Sequence, residues 1–396
     1  MPKAIKNIEL TNMPETIEGL QLYDHVFILL RYHGKPVGKV ILPVKNGALR
    51  LADHRDEIHK AVDGPIKFAA VDHFLFSDLK HKPLSEYRVT VAICTRNRAA
   101  DLKLCLDALM KLPQKGQEIL VVDNDPSDDD TKNLVAQYCS VKYILEKRRG
   151  LDVARNRAIK EAGNEIIAFT DDDALVDPNW LEALLKNFEE PLVMCVTGMT
   201  MPLELETKGQ EAFEHYSSFG KGFFKKRFSY FNSDPLAAGN VGAGANMALK
   251  KKLVNEIGWF DEALDAGTAT HSGGDHEFFV RILLAGYQIV YEPEALSWHR
   301  HRRTWKEAQK AIMGYGVGVY AFWTKLFVVD KQYTIIGFPK GWLLHSQLPN
   351  LVKSILRRGG RYPLTFILLE LWGCLKGPFA YFKSRRRLTQ TLKEQA

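Results

Sequence analysis

The sequence predicts an α/β protein with a mostly parallel sheet, preceded by a small β-rich module and followed by a basic helical region. Three observations carry that expectation. From Val89 onward, short apolar runs alternate with amphipathic segments, the pattern of strands joined by crossover helices. Residues 1–87 instead hold two strand-like runs around a glycine-containing turn. Charge divides the chain as well: the 396 residues carry 54 Lys+Arg against 47 Asp+Glu, yet residues 300–396 hold 18 basic and 4 acidic side chains, so the remainder is acidic. With 46% hydrophobic residues and unremarkable Gly and Pro content, the composition excludes a disordered, collagenous or disulfide-stapled chain. Cys94, Cys105, Cys139, Cys195 and Cys374 lack CxxC or zinc-type spacing, and read as reduced thiols of a cytoplasmic protein. The opening MPKAIKNIELTNMPE has no apolar run of the kind that directs export.

In chain order, residues 26–32 (VFILLRY) and 37–44 (VGKVILPV) flank His33-Gly34-Lys35-Pro36 and predict a hairpin. Residues 89–94 form a first strand of the main sheet. A helix follows, in which Leu102, Cys105, Leu106, Leu109 and Met110 recur on one face. Strands at 119–122, 142–145 and 166–170 alternate with helices near 131–139 and 151–162. In open α/β sheets, ligands bind beyond the carboxyl ends of the strands. Three of those ends are chemically loaded: Thr95-Arg96-Asn97-Arg98, Asp123-Asn124-Asp125 and Asp171-Asp172-Asp173. Neither GxGxxG nor GxxxxGK[ST] follows the first strand, which excludes dinucleotide and P-loop chemistry. Three consecutive carboxylates repel one another unless a cation screens them, and hard divalent cations prefer oxygen ligands. The triplet therefore points to a metal-diphosphate site; the alternative is an acidic turn leading to a helix cap at Asp177-Pro178.

The stretches VTVAICTRNRAADLKLCLDAL (89–109), EILVVDNDPSDD (118–129), RRGLDVARNRAI (148–159), IIAFTDDDALVDPNWL (166–181), GANMALKK (244–251), IGWFDEAL (257–264) and GGDHEFFVRILLAGYQIVYEPEALSWHRHR (273–302) occur in that order. Together they resemble glycosyltransferase family 2, enzymes of the nucleotide-diphospho-sugar transferase fold known as GT-A, over residues 88–303. The resemblance implies an inverting transfer of a sugar from a nucleotide-diphospho-sugar, with a UDP-sugar as the expected donor, to a saccharide or lipid-linked acceptor in cell-surface polysaccharide or glycolipid synthesis. It implies that Thr95, Arg96, Asn97, Arg98 and Asp123 hold the base and ribose, with Asp123 accepting the uracil N3–H. Arg149 and Arg155, beside Arg148, are expected at the donor phosphates. Asp171 and Asp172 are expected on the donor, and Asp171, Asp173 and His299 on Mg²⁺ or Mn²⁺. Asp275 is implied as general base. Where the family usually has two adjacent acids this chain has Gly274-Asp275, so the role falls on Asp275 alone. Glu277 and Asn246 are expected on the acceptor side. A nucleotide-sugar-binding scaffold without turnover and a nucleotidyltransferase are the competing readings.

The expected division is an accessory module at 1–87, the catalytic domain at 88–303 and a tail at 304–396. In the tail, the apolar run at 364–375 (LTFILLELWGCL) lies between Arg357, Arg358 and Arg361 on one side and Lys383, Arg385, Arg386 and Arg387 on the other. Glu370, Lys376 and Pro378 interrupt it, which predicts a helix lying on an anionic membrane surface, peripheral on the cytoplasmic face, and not a span. The aromatic residues sit in apolar runs and are not interleaved with positive charge, so nucleic acid is not an expected partner.

Overall fold

A computed structural model describes residues 2–76, 82–113, 116–356 and 362–395. The amino-terminal part holds β1 (Lys3–Glu9), β2 (Thr16–Ile17), β3 (His25–Tyr32), β4 (Lys35–Pro43), β5 (Leu49–Arg50) and α1 (Arg55–Phe76). Its three-stranded sheet runs β1-β3-β4, while β2 pairs with β5. The expected hairpin is present, with a tighter turn: His33 and Gly34 alone make it, both at positive φ (49° and 79°). Lys35 and Pro36 already belong to β4, where proline is tolerated because that strand forms the sheet's edge. The 22-residue helix α1 was not foreseen from the strand pattern; it buries Ile58, Val62 and Ala69 against the sheet.

The central sheet contains β6 (Val89–Thr95), β7 (Glu118–Asn124), β8 (Val141–Glu146), β9 (Ile166–Asp171), β10 (Ala174–Val176), β11 (Val193–Pro202), β12 (Lys226–Phe228), β13 (Asn246–Lys250) and β14 (Gln288–His299). Spatial order is β10-β14-β11-β13-β9-β6-β7-β8, with β12 beside β14. Strands β9, β6, β7 and β8 are mutually parallel, and β13 is antiparallel to both of its neighbours. The helices are α2 (Ala99–Met110), α3 (Asp130–Val135), α4 (Leu151–Glu161), α5 (Trp180–Leu185), α6 (Lys208–Tyr216), α7 (Leu253–Ile257) and α8 (Gly274–Leu284). Side-chain alternation along the strands fills two cores. Val89, Val91, Ile93, Ile119 and Val121 pack with α2, α3 and α5, whereas Ala92, Leu120, Val122, Ile167 and Phe169 pack with α4 and α8. Strands buried on both faces explain why these runs are nearly all apolar.

Phe27 and Leu29 of β3 pack on Met199, Met201, Leu205, Tyr291 and Leu296, fixing the amino-terminal sheet to the central one. A buried ion pair between Arg31 and Asp177 reinforces the contact. The tail comprises α9 (Trp305–Val328), α10 (Gly337–Trp342), α11 (Leu348–Ile355) and α12 (Leu364–Gln395). By length and hydropathy α9 alone among the described residues is able to cross a membrane, and half of its apolar window is buried inside the protein. It crosses α12 closely, because a Cβ at Gly373 or Gly377 would overlap the backbone of Met313 or Val317. Glu370, Lys376 and Pro378 break the apolar run but not the helix: α12 passes through all three, and by length and hydropathy it is not a candidate span. Packing on α9 offsets the one hydrogen bond Pro378 removes, and the Glu370 carboxylate accepts from the Tyr216 hydroxyl. Arg357, Arg358 and Arg361 lie outside the described residues.

Candidate active site

The chemically loaded residues converge where the parallel strands end. Beyond β6, Thr95 Oγ1 donates to Asp172 Oδ2 at 2.7 Å, and Arg98 Nη1 donates to Asp172 Oδ1 at 3.0 Å and Asp173 Oδ2 at 2.7 Å. Both oxygens of Asp172 are therefore taken up within the protein. Burial, followed by the charge of Asp173, pushes its carboxyl up to about 7. This corrects the expected donor-binding role: Asp172 is the inward latch of the turn, and it leaves Asp171 and Asp173 on the other side. Arg96 and Asn97 have a related task. Arg96 donates to the Asp125 carbonyl (3.0 Å) and carboxylate (3.1 Å), and Asn97 Oδ1 accepts from the Ser127 N–H at 2.9 Å, so the loops after β6 and β7 are stitched together.

Asp123, at the end of β7, is fully buried. Its Oδ2 accepts from the Tyr143 hydroxyl at 2.9 Å, while Oδ1 is buried without a partner and so remains a free acceptor. Burial raises its pKa. Tyr143 comes from β8 and carried no signal in the sequence, because nothing local marks a strand hydroxyl as a partner.

His299 joins the triplet through strand register. Ala174 pairs with His299 across β10 and β14, so the histidine lies beside Asp173 although far away in the chain. Its Nε2 lies 3.0 Å from Asp173 Oδ1 and 3.8 Å from Asp171 Oδ2, and one donor atom from each of Asp171, Asp173 and His299 falls within 4.8 Å of the others. His299 Nδ1 is buried without a hydrogen-bond partner, and Asp173 Oδ1 meets only the His299 ring. Two carboxylates and an imidazole with donor atoms this close fit a divalent cation. Burial works against the Asp173 charge, yet His299, Arg98 and Arg302 outweigh it and hold this carboxyl far below its ordinary range. Arg302, 3.3 Å from Asp173, lies beyond the end of β14, where no strand alternation marks it in the sequence. His301 turns away and meets Glu214 at 3.0 Å.

Asp275 occupies the first turn of α8, opened by Gly273 at φ 104°. Its Oδ2 accepts from Gly244 N–H at 2.7 Å and its Oδ1 from His276 N–H at 2.8 Å. Burial would raise its pKa, but His276, Arg155 and these two N–H donors lower it on balance, so the side chain is a carboxylate ready to accept a proton. Arg155, buried on α4, donates through Nη1 to Asp152 Oδ1 (2.9 Å) and Asp265 Oδ2 (2.8 Å). Arg149 is exposed, and Arg148 is engaged with Glu262 at 2.7 Å.

Two expected acceptor residues point elsewhere. Glu277 is fully buried and accepts from Arg281 at 2.7 Å and from Lys325 Nζ, joining α8 to α9; it cannot meet an acceptor. Asn246 is also fully buried. Its amide donates to Met199 O and Ala295 O at 2.9 Å each, and its carbonyl accepts from Trp180 Nε1 at 2.8 Å, so it ties β13 to β11, β14 and α5. Trp180 is consequently a core residue.

Residues 90–257 match the family model described as Glycosyl transferase family 2. Over that stretch the chain is similar to glycosyltransferase family 2. The matched stretch includes the parallel strands and the acidic triplet at the end of β9. The chain is 27% identical over 234 residues to a pre-mycofactocin glycosyltransferase from Mycobacterium tuberculosis, covering 57% of the chain and 46% of that relative. It is 26% identical over 217 residues to a poly-beta-1,6-N-acetyl-D-glucosamine synthase from Staphylococcus aureus, covering 53% and 49%. The chain thus spans about half the length of these curated relatives. A mannosyltransferase from Pyrobaculum calidifontis, solved in complex with GDP-Man and Mn²⁺, aligns over 87% of this chain and 86% of its own at 18% identity and a TM-score of 0.46.

Proposed function

We propose that the protein is an inverting glycosyltransferase that moves a sugar from a nucleotide-diphospho-sugar, with UDP as the nucleotide, onto a saccharide or lipid-linked hydroxyl. The observation that carries this reading is the grouping of Asp171, Asp173 and His299 donor atoms within 4.8 Å at the carboxyl ends of the strands. A bound Mg²⁺ or Mn²⁺ would supply Lewis-acid stabilisation of the departing diphosphate. The chain's own groups supply the rest. Asp123 offers its unpartnered Oδ1 to a ring N–H of the base, and the stitched loops after β6 and β7 form the wall beside it. Asp275, held charged by Gly244 and His276 N–H groups, accepts the proton of the attacking hydroxyl. Attack from the side opposite the diphosphate inverts the anomeric carbon. Arg155 lies on the same side and screens the carboxylates around it.

Polysaccharide or glycolipid assembly at the cytoplasmic face of a membrane is the setting we infer. It is supported by exposed Leu348, Val352, Ile355, Leu368, Trp372 and Phe379 on α11 and α12, among basic neighbours.

The test is nucleotide release from a panel of UDP- and GDP-sugars with Mn²⁺, with and without EDTA. Release of UDP that needs metal and vanishes in Asp275→Asn supports the proposal. Tight UDP binding without release would make the protein a nucleotide-sugar-binding scaffold and would refute turnover.

A further inference from the structure

Asp152 has no role in the proposal above, yet its surroundings are unusual for a structural carboxylate. It lies in the first turn of α4 with no exposed surface; Oδ1 accepts from Arg155, and Oδ2 is buried without a partner. Oδ2 points at Gly274. A Cβ built on Gly274 would overlap that oxygen and approach Asp152 Cγ to 2.7 Å and Oδ1 to 2.8 Å, so the carboxyl from α4 fills the space a side chain on α8 would take. Gly244 shows the same exchange one step nearer the site. There a Cβ would come 2.7 Å from Arg155 Nη2 and 2.9 Å from Asp275 Cβ, which puts Nη2 of Arg155 next to Asp275. Nη1 of the same guanidinium is held by Asp152 and Asp265.

We infer that Asp152 is a positioning residue for the Asp275 site: seated in the vacancy left by Gly274, it holds Arg155 so that Nη2 faces Asp275. The inference rests on the proposed transferase reading for its kinetic consequence, but its steric half does not. Two predictions separate the halves. Any side chain at 274 displaces Asp152 from Arg155, so Gly274→Ala acts through Asp152 and is harmless once Asp152 is gone. An acid returned from α8 takes over the vacated place.

The experiment is a double-mutant cycle on the full chain with Asp152→Ala, Gly274→Ala and the pair, read by thermal melting and by UDP release, together with Asp152→Ala/Gly274→Asp. Each single change is expected to lower kcat about 10²-fold while the donor KM moves by less than about threefold, since a misplaced charge costs more in the transition state than in binding. The pair is expected to be no worse than Asp152→Ala. The Asp152→Ala/Gly274→Asp exchange is expected to recover at least about tenfold over Asp152→Ala. A folded Asp152→Ala protein with the parent kcat overturns the inference, as does an exchange variant that recovers nothing. If the parent releases no nucleotide, the transferase reading fails by itself. The melting cycle then still decides the steric half: additive losses in Tm overturn it, and a Gly274→Ala penalty that disappears without Asp152 sustains it.

Discussion

At the scale of single residues, the acidic triplet divides its labour by direction. Asp172 turns inward to Thr95 and Arg98, and that leaves Asp171 and Asp173 on the side of His299. Replacing Asp173 by alanine removes the carboxylate shared by His299, Arg98 and Arg302. The expected result is a fall in turnover of at least about 10³-fold, with no Mn²⁺ dependence left in the residue of activity. Nucleotide release across a Mn²⁺ titration checks it, and a variant that keeps parental turnover would remove Asp173 from the metal site. Asp172→Asn behaves differently: the amide oxygen still accepts from Arg98 while its NH2 donates to the Thr95 hydroxyl, so the turn persists and turnover should drop by no more than about tenfold. The contrast between neighbours in one triplet is what separates a ligand from a latch.

Among elements, the decisive contacts join segments that are remote in sequence. Glu277 of α8 meets Lys325 of α9, and Asn246 of β13 holds three other elements. Glu277→Ala leaves Lys325 and Arg281 with a buried deficit of negative charge, although Asp330 at 2.9 Å still serves Lys325. A loss of about 3 kcal/mol in unfolding free energy follows, with kcat per folded molecule unchanged within about twofold. Urea titration and active-site-normalised rates measure the two quantities, and a kcat collapse without destabilisation would return Glu277 to the acceptor site. Asn246→Ala strips partners from Trp180 Nε1 and two carbonyls and is expected to cost about 2–4 kcal/mol by the same titration. These roles mark the limit of what the sequence made legible. Strand and helix order between Val89 and Asp171, the loaded strand ends and the acidic triplet are written in local patterns of period two and 3.6, so they were readable. Glu277 and Asn246 stood in the right motifs, but whether a side chain faces the cleft or the core depends on what α9 and β14 bring to it, and no local pattern encodes that. Tyr143, Asp152 and Asp265 were missed for the same reason: each acts through a partner from another segment.

The whole molecule is polar in its charge as well as its architecture, with net acidic residues 1–299 and a tail in which 18 basic side chains stand against 4 acidic ones over residues 300–396. Helices α9 and α12 bury much of their apolar surface against one another and the catalytic domain, so the tail is not a free amphipathic segment. What it leaves outside is still extensive: Ile336, Leu344, Val352, Ile355, Leu368, Trp372, Leu375, Phe379 and Phe382 are all at least 45% exposed. Soluble proteins rarely leave so much apolar surface uncovered without something to place on it. Lys340, Lys353, Lys376 and Lys383 stand among these side chains, and that combination suits an anionic lipid surface, with apolar side chains below the headgroups and ammonium groups among them. The full chain is therefore expected to float with vesicles containing an anionic lipid and to stay behind with purely zwitterionic ones. Raising the salt should weaken but not abolish capture, because the electrostatic part is screened and the apolar part is not. Val352→Asp with Ile355→Asp reverses both contributions on α11 and is expected to lower the partition coefficient about 10²-fold, each buried aliphatic side chain being worth about 1.5–3 kcal/mol. Donor cleavage in solution should remain at the parental rate in that variant, since α11 lies in the tail, outside the cluster of Asp171, Asp173, His299 and Asp275. If the parent chain fails to float with anionic vesicles at low salt, the exposed apolar surface of the tail serves another partner and the membrane setting of the transferase is wrong.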